Sequence, residues 1–142
     1  VHAGQRQEGD GVLLETDAFV SVPMKYDGFV NITMEAKKQD QTDRGGPDQR
    51  LAIPRPVTHV GIPDAKNYLA VLNAGIPQDG DLNIYANAIF NYRDSEASAF
   101  FRPADHNAAT KTIYPTGFLP MLKAKILDYS GTIGVNGEIG DG

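Results

Sequence analysis

Residues 82–92 read LNIYANAIFNY. Every even position of the stretch (Leu82, Ile84, Ala86, Ala88, Phe90, Tyr92) is apolar, and the odd positions carry Asn83, Asn87 and Asn91 interleaved with Tyr85 and Ile89. A period of two is the signature of a β-strand with one face turned to apolar surroundings. At about 3.3 Å per residue the strand spans about 36 Å, longer than most. Tyr85 and Ile89 then stand on its outer face, where they are expected to meet another subunit.

Working upstream, Val12, Leu14, Ala18, Val20 and Val22 alternate with Glu15, Asp17 and Ser21, and Val30, Ile32, Met34 and Ala36 alternate with Asn31, Thr33, Glu35 and Lys37. Pro23 and Asp27-Gly28 separate the two, so a hairpin or meander is expected. Gln39 to Arg50 contains no aliphatic or aromatic residue and predicts an exposed loop over 39–50, carrying Arg44 and Arg50. Pro54 and Pro56 flank Arg55, which favours a stiff extended spacer. Pro63-Asp64 then opens the one good helix candidate: Ala65, Tyr68, Leu69 and Leu72 fall at i, i+3, i+4 and i+7, and Gly75 supplies a stop.

Downstream, Arg93 to Glu96 is expected to turn the chain back into a strand from Ala97 to Arg102, ended by Pro103. Thr110–Tyr114 and Met121–Leu127 are shorter strand candidates; Pro120 leaves a helix open for the second, but Lys123 and Lys125 alternating with apolar neighbours favour a strand. Residues 131–142 are glycine-rich and predict a short strand, bearing Ile133 and Val135, within a loose tail. Residues 1–11 lack apolar periodicity and predict a mobile arm. The division is thus an arm (1–11), a β-rich domain (12–130) and a tail (131–142). The fold expected is mainly β, an antiparallel sandwich or small barrel with one short helix and extended terminal arms.

Composition narrows the function. The 142 residues carry a net charge of −5, which disfavours bulk attraction to nucleic acid. Basic residues are scattered and not interleaved with aromatics on one face, so no nucleic-acid partner is expected. Cysteine is absent, removing thiol catalysis, thiolate-bound zinc and disulfide scaffolding. No apolar run approaches the ~20 residues of a membrane helix and no signal-peptide pattern opens the chain, so no membrane partner is expected. Glycine (15) and proline (9) are abundant, as in chains with many turns.

Motifs that carry chemistry are weak. His2, His59 and His106 match no metal-ligand spacing, no serine sits in a GxSxG turn, and neither GxGxxG nor a P-loop occurs. Glu15, Asp17 and Glu35 can share a polar face on neighbouring strands, the arrangement a glycoside hydrolase needs, but such faces are routinely acidic and no tryptophan platform accompanies them. Asp79, Asp81 and Asn83 alternate as in calcium loops, yet Ile84 stands where an EF-hand requires glycine. Asn31-Ile32-Thr33 fits a glycosylation acceptor inside a predicted strand. No catalytic residue, cofactor or metal is expected.

The design itself is the remaining signal, because extended segments that cannot bury themselves become ordered against a neighbour, as coat, cement and tube subunits of virions do. The expected function is a non-enzymatic structural protein of a virion, a capsid decoration, cement or tube-type subunit. It is expected to form homo-oligomers, a trimer or ring, and to join other structural subunits of a larger particle. The expected contacts are Tyr85, Ile89, Arg44, Arg50, Arg55, Ile133 and Val135. The alternative is a carbohydrate-binding module or small glycan-acting enzyme using Tyr26, Tyr85, Tyr92 and the acidic strand faces.

Overall fold

In the computed structural model, which describes residues 1–78 and 82–137, the chain forms β1 (His2–Gly4), β2 (Leu13–Pro23), β3 (Phe29–Gln39), β4 (Pro47–Asp48), β5 (Arg55–Pro56), β6 (Asp64–Pro77), β7 (Asn83–Ser98), α1 (Ala108–Ile113) and β8 (Met121–Asn136). Six strands make one antiparallel sheet in the order β1-β2-β3-β6-β7-β8, and β4 and β5 pair separately. The protein is therefore mainly β and antiparallel, with one short helix among the described residues. Among the described residues no ladder joins β8 back to β1 or β2, and a sandwich-like second layer is compatible with this sheet.

The segment expected to be helical, Pro63 to Gly75, is instead the central strand β6, paired to β3 from Ala65 to Gly75 and to β7 from Asp64 to Pro77. β6 carries apolar residues on both of its faces. Leu69 and Val71 on one face, with Tyr68, Ala70 and Leu72 on the other, mimic a helical stripe. Two full ladders of backbone hydrogen bonds outweigh the weak helical pattern.

The turn expected at Arg93–Glu96, and the return strand to Arg102, are not formed; β7 runs on to Ser98. Its polar residues lie at the end of the sheet, where Asp94 faces Lys125 at 3.8 Å and Glu96 faces Lys123 at 2.9 Å. These charges are cross-strand partners, a role that sequence alternation alone did not separate from a turn.

Thr110–Tyr114, expected as a strand, falls within and just beyond α1. The Asn107 side chain caps this helix by accepting a hydrogen bond from Thr110 N at 2.8 Å. The tail differs as well: residues 131–136 extend β8, and 138–142 lie outside the described residues.

Residues 1–11, read as an arm, are engaged with the body. His2–Gly4 pairs with Leu13–Glu15, and a turn follows in which Arg6 N donates to Asp10 O at 3.0 Å and Gly9 N to Arg6 O at 2.9 Å. The loop from Asp40 folds on itself, with Thr42 N donating to Ile62 O at 2.9 Å and Arg44 N to Val60 O at 2.8 Å. Thr42 is buried there, its hydroxyl accepting from Ile62 N at 2.8 Å. This loop, the 5–12 turn and the α1 segment all leave the same end of the sheet.

Candidate assembly surface

Register assigns every strand residue to one of two faces, because directly paired residues point the same way. On the first face, one cross-strand row is Val22, Val30, Ala74, Ala86 and Ile133, and the next is Val20, Ile32, Leu72, Ala88 and Gly131. The third row is Ala18, Met34, Ala70, Phe90 and Tyr129, and the fourth is Thr16, Ala36, Tyr68, Tyr92 and Leu127. Apolar side chains thus occupy this face continuously across five strands. Tyr68 and Tyr92 stack on it with centroids 6.3 Å apart.

Among the described residues no strand or helix packs over this face. Among the described residues no apolar side chain is buried; Phe90 is 46% exposed, Tyr129 77% and Ile133 79%. The chain exposes 10333 Å², whereas a folded monomer of this mass exposes about 7,100 Å². The difference, about 3,200 Å², is on the scale of the surface that subunits bury in large obligate interfaces.

A charged border closes one end of the apolar face: Lys38, Lys66, Asp94 and Lys125 form a row, with Asp64, Glu96 and Lys123 beyond it. Lys38 pairs with Asp40 at 2.8 Å, and its carboxylate partner raises the Lys38 pKa, as Glu96 raises that of Lys123. A shallow hollow of about 310 Å³ opens here, lined by Lys38, Asp64, Lys66, Asp94 and Glu96 among others. Its charges are largely matched, which is the chemistry of a solvated rim.

The opposite face is the more polar of the two, although Phe19, Leu69, Val71 and Ile89 also lie on it. Ser21, Asn31, Asn73, Asn87 and Thr132 form one row, in which Ser21 Oγ donates to Asn31 Oδ1 at 2.7 Å. Glu15, Asp17 and Glu35 do share this face. Glu15 is paired with Lys37 at 3.2 Å, and Asp17 lies directly across from Glu35 with no basic group between them in the register. Among the described residues no three His, Cys, Asp or Glu side chains are grouped as a metal ion requires. Asp79 and Asp81 lie outside the described residues.

The expected contact residues separate into three groups. Ile133 and Val135 are on the apolar face of β8, 79% and 60% exposed. Ile89 stands on the polar face, and Tyr85, on the same face, lies over Gly134 of β8, where an added Cβ would overlap its ring. The arginines have partners inside the chain. Arg44 pairs with Asp10 and, at 2.9 Å, with Glu8, tying the N-terminal turn to the loop; Arg50 pairs with Asp48 at 2.6 Å; Arg55 donates to Thr116 O at 3.0 Å. The Arg44 guanidinium, helped by Asp43 N–H, holds the Asp10 carboxyl at about 2, and Arg50 does the same for Asp48.

The tyrosines proposed for sugar binding do not form a platform: Tyr26 sits in the β2–β3 turn, Tyr85 on the polar face and Tyr92 on the apolar face. Sequence reasoning did not foresee the pairing of His59 Nδ1 with Asp43 Oδ2 at 2.8 Å. Ser98 is close by, but its hydroxyl donates at 2.6 Å to the backbone carbonyl of His59, not to the imidazole. The three residues therefore lack the hydroxyl-to-imidazole bond that activates a nucleophile. Asp43 is held below the usual carboxylate range first by Gly45 N–H and then by His59.

Among the described residues no helix is long and apolar enough to cross a membrane. Compared with family profiles, curated proteins and solved structures, the chain shows no match to any of the three.

Proposed function

We propose that the protein is a non-enzymatic structural subunit that self-associates, its apolar sheet face covered by neighbouring copies within a larger particle. A virion coat, decoration or tube component is the class of assembly this design serves. The observation that carries the reading is the apolar face itself: five strands present it continuously, and no side chain of the described residues covers it.

The physical argument is one of stability. A domain ordinarily offsets its conformational entropy by burying apolar surface. Among the described residues the strands are ordered without one fully buried apolar side chain, so the missing burial is assigned to contact with another molecule. At about 25 cal/mol per Å², covering about 1,000 Å² of apolar surface contributes roughly 25 kcal/mol before the costs of association. The N-terminal arm is engaged within the chain, so the grip on neighbours is assigned to the sheet face and not to the arm.

Phe90→Lys tests the reading, with Thr33→Lys on the polar face as control. Phe90 is already 46% exposed in the single chain, so the substitution costs an isolated subunit little but buries an unpaired charge in an assembly. The expected result is loss of oligomer by sedimentation with Phe90→Lys and retention with Thr33→Lys. Equal assembly of both variants overturns the reading.

A further inference from the structure

Among the described residues nothing pairs with the outer edge of β8 along its 16 residues, and every residue from Met121 to Ile133 is exposed. Natural sheets blunt such edges with proline, charge, bulges or a covering segment. Here the other edge is treated that way: β1 covers Leu13–Glu15 of β2, and β2 ends at Pro23. From Tyr129 to Asn136, β8 has neither a charged residue nor a proline.

The sheet also repeats one packing device. Phe29 of β3 lies over Gly75 directly across the strand pair, where an added Cβ would come within 2.9 Å of the ring, and Tyr85 covers Gly134 in the same way. Aromatic rings laid over cross-strand glycines restore the apolar contact that glycine lacks. Gly131 is the exception on β8. An added Cβ there meets only Asn87 O, at 3.9 Å, and open space surrounds it. Two residues away on the same face stands Tyr129, 77% exposed and without a glycine beneath it.

Building on the assembly reading above, we propose that β8 pairs antiparallel with β8 of a second copy about a two-fold axis at Ser130, forming a continuous twelve-stranded sheet. This register sets Tyr129 of each copy opposite Gly131 of the other, filling the open space with a ring. It also sets Leu127 opposite Ile133 and Asp128 opposite Thr132, so no like charges meet. An axis at Asp128 brings the two carboxylates together and leaves the glycine uncovered. The two-fold runs perpendicular to the sheet, so the apolar faces of both copies fall on one side and join into one wider surface for further subunits.

Because the chain has no cysteine, Ser130→Cys provides a single thiol for the test. Directly opposed residues in an antiparallel pair have Cα atoms about 4.5–5.5 Å apart, within the roughly 4.4–6.8 Å that a disulfide spans. Mild oxidation of full-length Ser130→Cys is expected to give a disulfide dimer as the main species on a non-reducing gel. Thr132→Cys alone is expected to stay reduced, its mate lying roughly 13 Å away, whereas Thr132→Cys mixed with Asp128→Cys gives a cross-linked heterodimer. Native mass spectrometry of the same samples separates the outcomes. An oligomer whose Ser130→Cys thiol stays reduced overturns the edge pairing and leaves the assembly reading standing; a monomer under all conditions overturns both.

Discussion

Tyr85 lies directly across the β7–β8 pair from Gly134, with its ring in the space a side chain at 134 would need. A residue that looks from sequence like a free contact is therefore committed to packing within its own sheet. Gly134→Ala is expected to displace the ring and destabilise the fold by about 1–3 kcal/mol. Urea unfolding at fixed protein concentration checks this, and an unchanged midpoint contradicts it.

The bond between Asp10 and Arg44 makes the N-terminal turn sensitive to acid. The Asp10 carboxyl is lowered from 3.8 to about 2, first by the Arg44 guanidinium and then by Asp43 N–H. A depressed folded pKa means that the contribution is complete above pH 3.8 and is lost as pH falls toward about 2. An NMR titration of the Asp10 carboxyl is expected to have its midpoint near 2 and to move up toward the ordinary range in Arg44→Ala. An ordinary midpoint in the unaltered chain contradicts the geometry.

Asp17 and Glu35 oppose each other on the polar face. Like charges in directly opposed positions repel, so Asp17→Asn is expected to stabilise the sheet by about 0.2–1 kcal/mol at neutral pH. The gain shrinks with added salt. Thermal melts at two ionic strengths check both statements, and a lower melting temperature for the variant contradicts them.

Asn107 caps a helix of only six residues. Asn107→Ala is expected to cost about 1 kcal/mol locally and to raise the amide exchange rate of Thr110, whose N–H the cap accepts. Exchange rates in β6 and β7 are expected to stay unchanged.

Alternation made β2, β3 and most of β7 readable, because each has one apolar and one polar face. It failed at β6, where Leu69 and Val71 make the second face apolar too. It also failed past Arg93, where rim charges that pair across strands resemble the polar residues of a turn. Asn107 is a good N-cap residue, but a run as short as AATKTI gives no helical periodicity to confirm it. The apolar positions of the candidate surface were individually visible in the sequence. Only the register shows that Val20, Ile32, Leu72, Ala88 and their neighbours form one continuous face. That no other layer of the described residues lies over it follows from tertiary structure and leaves no local signal.

The central claim is that this face is covered by other copies of the chain. Sedimentation velocity of the intact protein across a hundredfold range of concentration, with far-UV circular dichroism on the same samples, tests it most directly. The account predicts species of at least twice 15.3 kDa with the β signal retained, and loss of that signal wherever dilution yields monomer. A stable, fully β-folded monomer at every concentration contradicts it.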